Sequence, residues 1–361
     1  MEKFLKILEE AISYEASDIH LVNGKKPVYR VEKKLIFSEK IEELNRYDLE
    51  GLMEYLVNDS LELVELFETT KRLDLSYEYM NKRFRVNASM AFNIPTFSIR
   101  IINNGDIDIK KYNLFKLIDV VKQFNSGLVL ITGKVNSGKT TTLNAYVQSM
   151  NRQKNKKIVM LEEPVEYRHE SKKCVIVQKE VGKTGDVATY YDGVINLLRE
   201  DADIAIVGEI RDRATMDAVL DLAESGTLVI GTLHTRSCGE TLDRILGMYS
   251  PSEQKSIKYI LSTVVKAIIS QKLVKDREEH LLMVPEVMIT NSTIAALIRQ
   301  ENFSISEIQD AIDRKSEKGM ISFERSFAEL YKNGILTLDS IRENVEDSQY
   351  EYIMRLIGGD N

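Results

Sequence analysis

The chain has 361 residues, 43% of them hydrophobic and 29% charged, a balance typical of a folded, water-soluble protein long enough for two domains. Its net charge of −7 disfavours a broad nucleic-acid surface, and its two distant cysteines, Cys174 and Cys238, suggest neither a disulfide framework nor a zinc site. The acidic N-terminal residues are unlike a secretory signal, and no apolar stretch approaches the roughly 18 residues of a spanning helix. We therefore expect a cytoplasmic protein that reaches a membrane only through a partner.

The first hundred residues predict a small α+β domain. Apolar residues recur at helical spacing between Phe4 and Ile12, and residues 46–67 return to that period. Alternating polar and apolar residues predict strands, often bounded by turn residues such as Asn23-Gly24. These strands are 17–21, 28–31, 35–37, 73–79, 83–90 and 96–102. We assign residues 1–102 to this domain and the polar, turn-rich residues 103–113 to a linker.

From Leu114 the pattern changes to short, continuous apolar runs separated by helices. Such runs are typical of strands buried on both faces of a mostly parallel sheet. The predicted strands are 128–132, 158–161, 175–178, 204–207 and 227–231, and the predicted helices between them include 140–150, 188–199 and 214–224. We assign this α/β core to residues 114–284. After Pro285 the chain reads as wholly helical, so residues 285–361 form a helical C-terminal region, with helices at 294–300, 306–318, 323–333 and 338–344.

A phosphate-binding loop follows the first core strand. Residues 133–140 read Gly-Lys-Val-Asn-Ser-Gly-Lys-Thr, which is the pattern G-x-x-x-x-G-K-[ST] between a buried strand and a helix. In this setting, main-chain N–H groups and the helix N-terminus hold phosphates, Lys139 reaches the β- and γ-phosphates, and Thr140 ligates Mg²⁺. The predicted nucleotide-binding residues are Gly133, Lys134, Val135, Asn136, Ser137, Gly138, Lys139, Thr140 and Thr141.

Acidic residues and a histidine follow other core strands. Glu209 ends the strand 204–207, a position suited to orienting Mg²⁺, and Glu162-Glu163-Pro164-Val165-Glu166 follows the strand 158–161. Crowded carboxylates raise one another's pKa, so one of them is a candidate water-activating base, although a solvated acidic turn is the alternative. His234 follows the strand 227–231, where it is positioned to sense the γ-phosphate or to connect sites between subunits.

Arginines line one face of the N-terminal strands. Arg83 and Arg85 alternate onto the same face, and Arg100 on the following strand is placed to join them. Solvated arginines are the ordinary alternative. In a multi-subunit ATPase, however, a neighbour's guanidinium groups neutralise charge on the phosphoryl group in the transition state.

Taken together, the motifs resemble the PilT-like retraction ATPases of type IV pili, within the larger group of hexameric secretion and pilus-assembly ATPases. The resemblance is carried by segments 16–21, 83–88, 133–140, 162–166, 169–174, 198–201, 207–212, 231–235 and 268–273. It implies a RecA-like P-loop core after a PAS-like domain, and a homohexamer that hydrolyses ATP with Mg²⁺. It also implies work against an inner-membrane platform protein, at the inner face of the cytoplasmic membrane, to draw pilin from the fibre. By position, the resemblance makes Glu166 the catalytic base and Glu209 the Walker B carboxylate. It places His234 in the histidine box, Glu163 near the metal, and Arg83, Arg85 and Arg100 in strands that supply inter-subunit arginines.

Three alternatives stay open at this point. A pilus or type II secretion extension ATPase shares the core, but usually carries a four-cysteine metal element that is missing from this sequence. A nucleic-acid motor shares it too, although the acidic balance and the absence of Trp offer no stacking groove. A non-hydrolysing, nucleotide-dependent regulator is the third alternative, because residues 134–136 and Glu163 depart from the family pattern.

Overall fold

The computed structural model describes residues 2–31, 34–58, 60–102, 107–110, 112–182, 185–314 and 319–358. The chain forms two compact units. The first, called here the N-terminal unit, comprises Met1–Gly105, Glu163–Arg168 and Glu180–Asp186. The second, called the core unit, comprises Asp106–Glu162, His169–Lys179 and Val187–Asn361. Positions 103–106 and 111 of the predicted linker lie outside the described residues.

The N-terminal unit is an antiparallel sheet with helices, in agreement with the predicted α+β domain. Its elements are α1 (Glu2–Ser13), β1 (Asp18–Leu21), β2 (Val28–Val31), β3 (Lys34–Phe37), α2 (Arg46–Val57), α3 (Leu61–Thr70), β4 (Arg72–Tyr79), β5 (Lys82–Ala91) and β6 (Ile94–Ile102). The strand order is β3-β2-β1-β6-β5-β4. The predicted helix 46–67 is in fact two helices, because Asn58 takes a left-handed conformation with φ of 44° and ends α2.

The core unit contains the mostly parallel sheet that the apolar runs predict. Its first elements are α4 (Phe115–Lys122), β7 (Gly127–Thr132), α5 (Lys139–Gln153), β8 (Lys157–Glu162), β9 (Val175–Glu180), α6 (Tyr190–Leu197), β10 (Ile204–Val207), α7 (Arg213–Glu224) and β11 (Leu228–Leu233). The remaining elements are α8 (Cys238–Leu246), α9 (Pro251–Val264), β12 (Val265–Lys275), β13 (Leu281–Ile289), α10 (Ser292–Arg299), α11 (Ile305–Asp313), α12 (Phe323–Lys332), α13 (Leu338–Arg342) and α14 (Asp347–Gly358).

The strand order of this sheet is β13-β12-β7-β11-β10-β8-β9. The pairs from β12 through β7, β11 and β10 to β8 are parallel. Every residue of β7, β10 and β11 is buried, which explains why these strands read as unbroken apolar runs. The carboxyl ends of β7, β11 and β10 therefore lie side by side at one edge of the sheet.

The expectation that the chain is wholly helical after Pro285 is wrong. Pro285 lies inside β13, which continues to Ile289 and pairs antiparallel with β12, Pro285 standing opposite Gln271. Because β13 is the outermost strand, the missing N–H of proline removes no bond from a central ladder.

The described residues after β13 form helices joined by short connections, as predicted, and several of these helices pack on this hairpin. Phe327 of α12 and Ile353 of α14 share a buried cluster with Val274 of β12 and Val284 of β13. The predicted helix 306–318 ends at Asp313, and positions 315–318 lie outside the described residues. No helix in the described part of the chain is long and apolar enough to cross a membrane.

Candidate active site

The loop between β7 and α5 has the backbone of an anion cradle. Asn136 adopts the left-handed conformation at φ of 63°, and Gly138 reaches φ of 87°. A Cβ on Gly133 would lie 2.4 Å from Ser137 Oγ and 2.6 Å from the Gln271 carbonyl oxygen, so only glycine fits. Asn136 thus occupies a left-handed position that a glycine would otherwise favour, since asparagine tolerates that conformation better than most residues.

Lys139 is the centre of the polar contacts in this loop. Its side chain is buried, and Nζ donates to the carbonyl oxygens of Gly133 at 2.9 Å and Lys134 at 3.0 Å. Burial lowers the pKa of the Lys139 ammonium group, while the negative charge of Glu209 acts in the opposite direction. An ammonium group held in this way can exchange carbonyl oxygens for phosphate oxygens.

His234 connects Lys139 to Glu209. The Lys139 Nζ atom lies 3.2 Å from His234 Nδ1, and His234 Nε2 lies 3.2 Å from Glu209 Oε1. An ammonium nitrogen can only donate hydrogen bonds, so His234 Nδ1 accepts one from Lys139. The imidazole proton is therefore on Nε2, which donates to the Glu209 carboxylate. The three side chains follow β7, β11 and β10, the adjacent strands of the sheet. Parallel strand order therefore brings together three residues that lie far apart in the sequence.

Two further groups support this arrangement and were missed in the sequence. Arg211 makes a 2.8 Å ion pair with Glu209 Oε2, which leaves the other carboxylate oxygen to His234. Gln271 on β12 is buried, donates to the Ser137 carbonyl at 2.7 Å and accepts from Thr142 Oγ1 at 3.0 Å. Gln271 thereby ties the loop and the first turn of α5 to the neighbouring strand. The motif 268–273 was the only sequence signal for it.

The loop fits a polyphosphate. Ser137 is 5% exposed, and its Oγ is buried without a hydrogen-bond partner, an arrangement that a phosphate oxygen would satisfy. Thr140 and Thr141, in the first turn of α5, are half-buried. Among the residues that the structure describes, no group of three or more His, Cys, Asp or Glu side chains could hold a metal ion. The side chains of Thr140 and Glu209 offer oxygen atoms, the ligand type that Mg²⁺ takes alongside substrate phosphates.

The other predicted catalytic residues lie in the N-terminal unit. Arg85 and Arg100 stand directly opposite each other on β5 and β6. Burial raises the pKa of the Glu166 carboxyl, and the guanidinium groups of Arg85 and Arg100 act against that rise. A carboxyl group near two arginines with a raised pKa has the electrostatics expected of a proton acceptor.

Arg83 and Glu163 have different surroundings in the same unit. Arg83 forms ion pairs with Glu78 at 3.0 Å and with Glu180 at 2.8 Å, and its side chain is 11% exposed. Glu163 is exposed. The roles predicted for both residues therefore stay predictions.

The chain matches one known protein family over most of its length. The family model described as Type II/IV secretion system protein matches residues 1–293. The chain belongs to this family. It is 32% identical to the type IV pilus retraction ATPase PilT of Pseudomonas aeruginosa over 92% of this chain and 94% of that protein. It is 29% identical to a twitching motility protein of Neisseria gonorrhoeae over 85% of this chain and 81% of that protein.

The fold agrees with that assignment. A crystal structure of the pilus retraction motor PilT with bound ADP superposes with a TM-score of 0.85 at 30% sequence identity, and the match covers 95% of this chain and 97% of that one. The resemblance drawn from the motifs and the predicted α/β fold class are both confirmed.

Proposed function

We propose that this protein is a Mg²⁺-dependent ATPase that powers retraction of type IV pili. The observation that carries the proposal is the Lys139–His234–Glu209 chain at the ends of three adjacent strands, beside a loop that fits phosphates. Its similarity to a pilus retraction ATPase and to a twitching motility protein supports the cellular role. As part of the proposal, the chain works as a cytoplasmic homohexamer. The ring acts against an inner-membrane platform protein and through it on pilin.

In this scheme the residues of the core unit hold the nucleotide. Main-chain N–H groups of residues 133–140 receive the phosphates, and Lys139 gives up its contacts with the Gly133 and Lys134 carbonyls to bind them. Thr140 and Glu209 would hold a bound Mg²⁺, which would supply positive charge to neutralise the phosphates. His234 Nε2 remains in contact with Glu209. A shift of the imidazole ring after Lys139 leaves Nδ1 would therefore change the hydrogen bond to the Walker B carboxylate.

The chemical step is assigned to Glu166, with Arg85 and Arg100. Glu166 accepts the proton of the attacking water, for which a pKa raised by burial is suited. In the proposed ring, Arg85 and Arg100 of a neighbouring subunit stabilise the charge that develops on the phosphoryl group.

The direction of the motor is tested by deleting the gene and counting surface pili. A retraction ATPase is needed to remove pilin from the fibre, so we expect the deletion strain to accumulate pili and to lose twitching movement. Expression of the wild-type chain should reverse both effects, whereas a Lys139→Ala chain should reverse neither. Loss of pili in the deletion strain would instead assign the protein to extension.

A further inference from the structure

The six residues 163–168, called here the acidic loop, leave the core unit and return to it. Glu162 ends β8 in the core unit, and the chain rejoins that unit at His169. The loop carries Glu166, the proposed base. The position of a base on a loop depends on how firmly the residues at the two ends of that loop are held.

One side chain holds both ends of the acidic loop. Gln178, on β9, accepts a hydrogen bond from the His169 main-chain N–H at 2.9 Å. The same amide donates through Nε2 to Glu162 Oε1 at 2.9 Å. Glu162 is 7% exposed, so the second bond lies in a buried setting where hydrogen bonds to a carboxylate are strong. Gln178 therefore fixes the distance between the loop's first and last anchor.

The second anchor is also tied to the helix that carries the phosphate-binding lysine. His169 Nε2 lies 2.6 Å from Asn144 Oδ1 on α5, and Asn144 Nδ2 donates to the Thr140 carbonyl at 2.8 Å. The bond to Thr140 fixes the orientation of the amide, so its oxygen faces His169 and the imidazole must donate from Nε2. Burial lowers the pKa of His169 to about 4, which keeps the ring neutral near pH 7.

A second asparagine on α5 provides a natural comparison. Asn151 is seven residues, or two helical turns, after Asn144 and is also buried. It donates to the Glu170 carbonyl at 2.7 Å and accepts from the Lys172 and Cys174 main-chain N–H groups at 2.9 and 3.3 Å. These bonds hold the segment beyond His169 to the same helix, but they touch neither end of the acidic loop.

We propose that Gln178, His169 and Asn144 are positioning residues for the acidic loop, because they hold its two core-unit anchors, Glu162 and His169, in place. They do not touch the reacting atoms; they act through Glu166. This inference rests on the proposed function, because it takes Glu166 as the base. His169 begins the motif 169–174, which has no role in the proposed nucleotide chemistry.

The test compares His169→Phe and Gln178→Met with Asn151→Ala in the purified full-length protein. Removing either contact of the acidic loop should lower kcat by about tenfold or more while the Kd for ADP stays within about twofold, since misplacing a base affects turnover more than binding. His169→Gln keeps a side-chain donor and should recover most of the lost kcat. Asn151→Ala should leave kcat within about twofold, even if its melting temperature falls as far as that of the other variants.

Hydrogen exchange gives a readout that does not depend on catalysis. The amides of residues 165–168 should exchange faster in His169→Phe and Gln178→Met than in Asn151→Ala. Unchanged exchange in residues 165–168 would overturn the inference. It would also be overturned if Glu166→Gln were inactive while His169→Phe and Gln178→Met both kept a kcat near that of wild type. An equal loss of kcat in Asn151→Ala would likewise overturn it. If Glu166→Gln itself kept full activity, the assigned base would be wrong, and the exchange experiment would still decide whether the loop is held as described.

Discussion

At the scale of single residues, Glu166 is the side chain on which turnover is expected to depend. Burial raises the pKa of its carboxyl group, and the charges of Arg85 and Arg100 limit that rise, which are the surroundings expected of a proton acceptor. Glu166→Gln keeps the size of the side chain and removes this capacity. We expect ATP to bind with an affinity within about threefold of wild type while hydrolysis falls by about 100-fold or more.

Binding and hydrolysis have to be measured on the same preparation of Glu166→Gln. Equilibrium binding of ATP with Mg²⁺ gives the first quantity, and phosphate release gives the second. Glu170→Gln is a suitable control, since Glu170 is an exposed carboxylate just beyond the loop that carries Glu166 and has no assigned role in the nucleotide site. If Glu166→Gln failed to bind ATP, Glu166 would be a structural residue.

Glu10 is the residue that we expect to matter most for the stability of the N-terminal unit. Its side chain is 4% exposed and accepts hydrogen bonds from Tyr29 at 2.7 Å, Ser38 at 2.5 Å and Tyr14 at 3.2 Å. Burial opposes its ionisation, but these hydrogen bonds outweigh burial and lower the pKa of the Glu10 carboxyl. Glu10→Gln should cost about 1–3 kcal/mol of unfolding free energy at pH 7.

The effect of Glu10→Gln should depend on pH. Because the pKa of Glu10 is lower in the folded state, its ionisation stabilises the fold above the pKa of an unfolded glutamate, and this stability is lost as the pH falls through the folded-state pKa. The two proteins should therefore converge in stability in acid, which urea unfolding at several pH values would reveal. Glu2→Gln on the same helix removes an exposed ion pair to Lys6 and should change little. A constant difference at every pH would disprove the electrostatic explanation.

At the scale of elements, the hydrophobic pattern was enough to predict strands that are buried on both faces. β7, β10 and β11 are buried throughout, so they appear in the sequence as apolar runs and were predicted within two residues. β12 was missed because it begins at Val265, directly after α9 ends at Val264, and no turn residue marks the change. β13 was missed as well, because Pro285 was taken as the start of a wholly helical region and a sequence does not show that a strand will be outermost.

Site residues at the ends of strands were predictable from the sequence, whereas those within strands were not. Lys139, Glu209 and His234 follow strands, so topology alone predicts that they converge, and the structure brings them within hydrogen-bonding distance. Gln271 and Gln178 lie within strands, where a glutamine ordinarily reads as a solvated side chain. Their roles depend on which loop happens to cross the strand, and hydrophobic periodicity carries no such information.

At the scale of the whole molecule, the proposed ring makes Arg85 an inter-subunit residue. Arg85→Ala and Lys139→Ala should each be inactive alone, because each would lack one half of the composite site. In an equal mixture of the two chains, about a quarter of the sites would combine an intact Lys139 with an intact neighbouring Arg85. We expect mixing to restore roughly that share of wild-type phosphate release.

Mixing has to be carried out under conditions in which the subunits exchange, and native mass spectrometry would establish the composition of the assemblies. A mixture of Lys139→Ala with Glu209→Gln is the control, since both residues lie in the core unit of one chain and cannot complement each other across an interface. If mixed rings containing both chains stayed inactive, Arg85 would act within its own chain.

The central claim is that this chain hydrolyses ATP at the loop between β7 and α5. Phosphate release by the purified wild-type protein and by Lys139→Ala, with Mg²⁺ and saturating ATP, measures it directly. We predict steady turnover for the wild type and a loss on the order of 100-fold or more for the variant, since the substitution removes the cation that faces the phosphates. Turnover by Lys139→Ala within a few-fold of wild type, or no phosphate release from a wild-type protein that binds ATP, would contradict the account.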